Sequence, residues 1–134
     1  MMKKFLVILC CLLFFTVIGA EIKEGTPSYS VKTFFDSMAK ADIAKAKTVI
    51  ESREVVGMLE FIEAAIKETP ELKSDTVKEF AHYAAAKFIS EKISGNTAEV
   101  VVSIKEKGKE KKEIYKLKKL GGIWKLVESS DYDK

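Results

Sequence analysis

The spacing of apolar residues changes once along this chain, near Phe88. Before that point apolar side chains recur at the helical spacing i, i+3, i+4 and i+7, as in the stripe Val31, Phe34, Phe35 and Met38. After it they alternate with polar residues, as in Ala98, Val100, Val102 and Ile104. Helices followed by antiparallel strands are the pattern of an α+β protein.

Residues at the segment ends set the predicted helix boundaries. Thr26 is the expected N-cap of the first helix, with Pro27 at its first position, and Asp42 is the expected cap of a short second helix. The third helix has the longest inward stripe, made of Val55, Met58, Leu59, Ile62, Ala65 and Ile66. A fourth helix is expected to begin at a capping box of Thr76 and Glu79, with an inward stripe of Val77, Phe80, Ala81, Ala84 and Phe88.

Turn signals divide the second half of the chain into four strands. They are the pairs Gly95-Asn96 and Gly121-Gly122 and the residues around Gly108. Gly121-Gly122 could also belong to a phosphate-binding loop, but such a loop leads into a helix, and no helical pattern follows it here. We therefore predict a hairpin at this pair and a four-stranded antiparallel sheet packed against the N-terminal helices.

The N-terminus has the layout of a secretory signal peptide. Lys3 and Lys4 precede the apolar run Phe5–Ile18, and small residues end it at Ala20. An uncleaved membrane anchor is the alternative, although the run is shorter than the ~20 residues that span a bilayer. We expect an exported protein, periplasmic or secreted, cleaved near Ala20. Its parts would be residues 1–20 as signal peptide, 21–26 as a tether, 27–129 as one domain and 130–134 as a tail.

Cleavage would also remove both cysteines and nearly balance the charge. Cys10 and Cys11 lie inside the apolar run, so the mature chain would hold no disulfide and no thiol. The lysine-rich segment Lys105–Lys119 holds eight lysines against three glutamates. It could make a weak contact with an anionic surface, or it could be a solvated sheet edge. It contains no arginine, and we expect no nucleic-acid partner.

Three stretches together resemble a family of bacterial secreted proteins. They are "SYSVKTFFDSMAKADIAKAK", "GNTAEVVVSI" and "IYKLKKLGGIWKL", within a match from about Pro27 to Glu128. The family is the domain of unknown function 4878 family, in the nuclear-transport-factor-2-like (NTF2-like) superfamily. The resemblance implies a cystatin-like cone, in which a strongly curved sheet wraps around helices. It implies no particular activity and no catalytic residue, because this fold serves enzymes and binding proteins alike.

The residues give little support to catalysis. His82, the only histidine, is expected to face solvent, and Asp36 is expected to pair with Lys32 and Lys40 on the surface of the first helix. Without cysteine, zinc and triad chemistry are not expected. We predict no catalytic residue, no metal site and no cofactor, and whether the protein is an enzyme stays open, with binding favoured.

The favoured interpretation is a binding domain with a small apolar or amphipathic ligand between helices and sheet. Its candidate pocket residues are Phe34, Met38, Met58, Ile62, Tyr115 and Trp124. The alternative is that these side chains only fill the core. A second hypothesis is a cell-envelope interaction protein that uses the lysine-rich segment or the outer sheet face. A homodimer through that face would use an apolar strip of Val101, Ile114, Ile123 and Val127.

Overall fold

The structure, a computed structural model, describes residues 16–17 and 22–131. Four helices come first in the domain: Pro27–Ala39 (α1), Ile43–Lys47 (α2), Arg53–Glu68 (α3) and Leu72–Ala84 (α4). The strands are Thr16–Val17 (β1), Lys87–Ser94 (β2), Thr97–Glu106 (β3), Lys109–Leu120 (β4) and Ile123–Asp131 (β5). Helices followed by an antiparallel sheet confirm the predicted α+β class and its four long strands.

The sheet is a simple meander in the order β1-β2-β3-β4-β5, with every pair antiparallel. The two-residue strand β1 lies along the outer edge of β2. Extra residues interrupt the register twice, at Ile89 in β2 and at Val127 in β5. Such bulges increase the local twist of a sheet. The predicted turn at Gly121-Gly122 is confirmed, with φ of 59° and 81°, values that glycine adopts without strain.

Helix α1 crosses the inner face of the sheet and is tied to it at two strands. The hydroxyl of Ser30 donates to the backbone oxygen of Trp124 at 2.6 Å, on β5. The backbone N–H and the hydroxyl of Ser28 donate to Glu91 on β2 at 2.9 and 2.8 Å. On the side of α1 that faces the sheet, Phe35 is 1% exposed, and its ring centroid lies 5.3 Å from that of Tyr115. The core therefore lies between α1 and the inner face.

The first two predicted helix starts are confirmed. The Thr26 side chain caps α1 by accepting from the N–H of Tyr29 at 3.2 Å, and the Asp42 side chain caps α2. The predicted start of the fourth helix is wrong. Helix α4 begins four residues earlier, at Leu72, and the Thr76 hydroxyl donates to the Leu72 carbonyl inside the helix. Thr76 therefore satisfies its hydroxyl within the helix instead of capping it.

Met58 was predicted to face inward, and this is wrong. The side chain of Met58 is 57% exposed, next to Phe61 at 75% exposed. On α3 only Leu59 is fully buried, and the residues that pack on the core beside it are Val55, Val56 and Ile62. The helix thus faces the core along a stripe that is turned from the predicted one toward Val56, by less than one position. Ala81 and Ala84 on α4, also predicted to face inward, are exposed as well. No residue of that helix is completely buried.

The predicted signal peptide lies almost wholly outside the described residues. Only Thr16 and Val17 of its apolar run are described, as β1. Within the described ranges, no helix has the length and apolar character needed to cross a bilayer. Cleavage near Ala20 and export stay predictions.

Candidate functional site

Strand β4 carries a polar group of side chains on the inner face, beneath the C-terminal end of α4. Because side chains alternate, Lys111, Glu113 and Tyr115 point to the same face as the core residue Leu117. On β5, Asp131 is the cross-strand partner of Glu113. We call Tyr83, Lys111, Glu113, Tyr115 and Asp131 the inner-face cluster.

Hydrogen bonds and ion pairs join four members of the inner-face cluster. The Tyr115 hydroxyl donates to Glu113 Oε1 at 2.6 Å. Lys111 Nζ lies 3.5 Å from Glu113 Oε2 and 3.3 Å from Asp131 Oδ1. The side chain of Glu113 is only 13% exposed, whereas those of Lys111 and Asp131 are about half exposed. The cluster thus runs from a buried phenol to two charges at the solvent boundary, and its two carboxylates outnumber its one ammonium group.

The electrostatics follow from this gradient of burial. Burial, and then the hydrogen bond to Glu113, hold the pKa of Tyr115 far above its ordinary value. Burial also raises the pKa of Tyr83, with a further contribution from the Glu113 charge. The bond to Asp131 is the largest cause of a raised pKa at Lys111. At neutral pH both phenols are therefore hydrogen-bond donors, and Lys111 is charged.

Tyr83, at the end of α4, lies over the cluster with aromatic neighbours beside it. Its ring centroid is 4.9 Å from Phe35 and 5.9 Å from Phe80. Its hydroxyl forms no hydrogen bond with the part of the chain that the structure describes. The inner-face cluster thus presents a solvent-accessible hydroxyl with no described partner next to an apolar wall.

His82 and Asp36, which the sequence predicts to lie on the surface and to take no part in acid–base chemistry, make no polar contact with this cluster within the described residues. The ring of His82 is half-exposed and stacks on Tyr83 at 4.3 Å, so it borders the cluster without a polar contact to it. Asp36 pairs with Lys32 at 2.6 Å, as predicted, whereas the predicted pair with Lys40 does not form among the described residues. No group of three potential metal ligands occurs within the described residues.

The six predicted pocket residues line none of the clefts found in the described part of the chain. Met38, Tyr115 and Trp124 are buried at 1%, 6% and 5% exposure and fill the core, while Phe34 and Ile62 pack at its margin. Met58 faces solvent. Clefts of about 240, 430 and 350 Å³ open on the described surface, and none is lined by any of the six. Of the six, Tyr115 alone belongs to the inner-face cluster.

The four residues of the predicted dimer face share the outer face of the sheet, but they do not form a continuous strip. Val101 and Ile114 are direct cross-strand partners. Ile123 is 50% exposed at the end of the sheet, and Val127 lines the groove of about 350 Å³. A row of alternating charges crosses the face between these positions, made of Lys92, Glu99, Lys116 and Glu128.

Sequence reasoning missed Lys111, Glu113 and Glu91. Lys111 and Glu113 lie four and two residues before Tyr115, so the period of two contained the signal. Glu91 offered no such signal, because its position in β2 reads as an ordinary polar one. It is buried at 7% exposure and holds the first turn of α1 through Ser28, where a negative charge complements the helix dipole. Glu91 is thus a satisfied structural carboxylate.

No protein-family model matches the chain, and no curated protein matches it. Among solved structures, the chain is similar to the 2.00 Å crystal structure of a Campylobacter jejuni protein provisionally named an NTF2-like transpeptidase. The identity is 14%, the TM-score is 0.44, and the match covers 76% of this chain and 97% of the other. At this level the likeness carries no argument about superfamily or activity, and membership of the NTF2-like superfamily stays a prediction. Membership of the domain of unknown function 4878 family stays a prediction.

Proposed function

We propose that this chain is an exported, non-catalytic binding domain whose ligand lies at the inner-face cluster. The observation that carries the proposal is that the hydroxyl of Tyr83, a half-buried residue, has no described partner and stands beside the Glu113 carboxylate. Among the described residues every buried side-chain polar atom has a partner, so this hydroxyl is open to solvent. Its oxygen can therefore accept a hydrogen bond from an N–H group of a ligand. The deep core is already filled by Met38 and Trp124, which favours the solvent boundary of the cluster at Lys111 and Asp131 as the place for a ligand.

The cluster also suggests the chemistry of the ligand. Two carboxylates face one ammonium group, so a head group that donates hydrogen bonds or carries positive charge is favoured over an anion. The rings of Tyr83 and Phe80 offer an apolar wall for the rest of the molecule. We therefore propose a small amphipathic ligand with an amine head group.

Binding is favoured over catalysis by the state of the ionisable groups. A general base must be able to accept a proton in its resting state, and Glu113 is already held by the Tyr115 hydroxyl and by Lys111. Tyr115 with its raised pKa is a poor base at neutral pH. These groups suit fixed recognition of a head group.

A thermal-unfolding comparison of two ligand series tests the proposal. Alkyl amines should raise the melting temperature, whereas alkyl carboxylates of equal length should not. At an amine concentration of a hundred times Kd, the free energy of unfolding should increase by about 2.7 kcal/mol. Glu113→Gln should remove most of the response to amines. The matched control is Glu99→Gln, which makes the same change on the outer face. An equal response to both series, or none to the amines, would contradict the proposal.

A further inference from the structure

The alternation of β4 sorts the lysine-rich segment onto two faces of the sheet. Lys111 and Lys119 point inward, where Lys111 pairs with carboxylates and Lys119 Nζ lies 5.8 Å from the Trp124 ring centroid. The lysines that point outward are Lys105, Lys112, Lys116 and Lys118. The segment is therefore not one basic surface. Its two ends differ in how many carboxylates lie near the lysines.

Carboxylates already accompany most of the outward lysines. At one end, the charges of Lys87, Lys105 and Lys112 surround Glu110. In the middle row, Lys116 Nζ lies 4.0 Å from Glu128, and Glu99 is the cross-strand partner of Lys116. These lysines are partly neutralised by acids of the chain itself.

The β4–β5 hairpin end is different. Lys118 and Lys125 are direct cross-strand partners, and within residues 22–131 neither forms an ion pair. Like charges directly opposite each other destabilise a sheet. The neighbour of Lys118 on β3 is Thr97, which carries no charge. Two adjacent positive charges thus stand on the outer face with no described counterion.

Two exposed apolar side chains lie beyond this lysine pair, at the tip of the hairpin. Leu120 and Ile123 are cross-strand partners at 37% and 50% exposure, joined by the turn Gly121-Gly122. By alternation they share the outer face with Lys118 and Lys125 and lie about 7 Å further along the strands. We call Lys118, Leu120, Ile123 and Lys125 the hairpin tip.

We propose that the hairpin tip docks onto an anionic lipid bilayer, with Leu120 and Ile123 entering the interface while Lys118 and Lys125 contact headgroup phosphates. Apolar residues beyond a row of lysines match the layering of a membrane interface, in which phosphates lie outside the acyl chains. The long lysine side chains can reach back to the phosphate layer. The adjacent groove of about 350 Å³ is lined by Lys92, Lys116 and Lys118 but also by Glu99, so the uncompensated positive charge lies at the tip and not in the groove.

The only tryptophan of the chain provides a local reporter for this contact. Trp124 follows Ile123 directly, and residues 1–20 contain no tryptophan. Vesicles of phosphatidylglycerol with brominated acyl chains should quench Trp124 fluorescence in the full-length protein. The quenching should weaken with added salt, because exposed charges are screened. Brominated phosphatidylcholine vesicles should quench much less.

Paired variants separate the tip from other sources of membrane affinity. Lys118→Gln with Lys125→Gln should weaken the apparent affinity for the anionic vesicles by about tenfold or more, since each lysine near such a surface contributes about fivefold. Lys107→Gln with Lys109→Gln, the same charge change at the opposite hairpin, should have a much smaller effect. Leu120→Ser with Ile123→Ser should abolish quenching, whereas Phe61→Ser, at an exposed site on α3, should not.

Three results would overturn the proposal. They are no quenching by anionic vesicles, equal quenching by neutral ones, or quenching that the tip variants leave unchanged. Circular dichroism of each variant separates a loss of contact from a loss of fold. A doubled mass without lipid, abolished by the tip variants, would assign the hairpin tip to a second copy of the chain and would also overturn the proposal.

Discussion

The Tyr115 hydroxyl donates a 2.6 Å hydrogen bond to Glu113, two residues before it on the same face of β4. The donor is buried at 6% exposure and its ring contacts Phe35 in the core. The acceptor, Glu113, forms an ion pair with Lys111 at the solvent boundary, and Lys111 also pairs with Asp131. This one bond therefore connects the apolar core to the polar end of the inner face.

Removing the Tyr115 hydroxyl should destabilise the protein, although it deletes only one atom from the core. Tyr115→Phe keeps the ring and deletes a hydrogen bond to a charged, mostly buried carboxylate. A loss of about 1.5–3 kcal/mol in the free energy of unfolding is expected, measured by urea denaturation.

The matched control is Tyr29→Phe on α1, where the hydroxyl forms no hydrogen bond within the described residues. That variant should change the free energy of unfolding by less than about 0.5 kcal/mol. Equal losses in the two variants would contradict the role given to the bond between Tyr115 and Glu113.

Stability should fall at alkaline pH through the two tyrosines of the inner-face cluster. The folded state raises the pKa of Tyr83 and Tyr115, so the unfolded chain releases their protons first, from about pH 10. Below that pH their contribution is fully present. Above it, stability falls by up to about 1.4 kcal/mol per pH unit for each protected hydroxyl.

An alkaline titration that follows tyrosinate absorbance and circular dichroism together checks this. The late tyrosinate signal should coincide with unfolding, and it should be absent in the double variant Tyr83→Phe with Tyr115→Phe. Full ionisation of both tyrosines in a chain that stays folded would show that they are not protected.

The bond between α1 and β2 should make a measurable contribution to stability. Ser28→Ala removes the hydroxyl donor to the buried Glu91 but keeps the backbone N–H donor. We expect a loss of about 1–2 kcal/mol in the free energy of unfolding. Ser74→Ala, at an exposed site on α4, should have little effect by the same measurement. If Ser28→Ala left the free energy of unfolding unchanged, the hydroxyl would contribute nothing to holding the helix.

A homodimer through the outer face stays a prediction, now centred on Val101 and Ile114. These cross-strand partners are half-buried, between the charged row and Ser103. Ile114→Lys should convert a dimer to a monomer, because burying an unpaired charge in the interface is costly. Sedimentation equilibrium at micromolar concentration measures this. A wild-type protein that is already monomeric would rule out the dimer.

The sequence contained most of the fold and little of the site. Thr26, Asp42 and Gly121-Gly122 act through local backbone chemistry, so their roles could be predicted from neighbouring residues alone. The rotation of α3 that exposes Met58 depends on how loosely that helix packs on the rest, which no local pattern records.

The inner-face cluster needed two kinds of information. The period of two places Lys111 and Glu113 beside Tyr115, and this was available from the sequence. The arrival of Tyr83 from α4 depends on the packing of that helix against α1, so it required the structure. The inward direction of Glu91 likewise depends on the position of the α1 N-terminus.

Native mass spectrometry of the protein recovered from its producing cell is the decisive test of a ligand at the inner-face cluster. We expect extra mass that disappears on denaturation and is reduced in Glu113→Gln but retained in Glu99→Gln. A bare protein mass with no adduct, together with no response to alkyl amines, would contradict it.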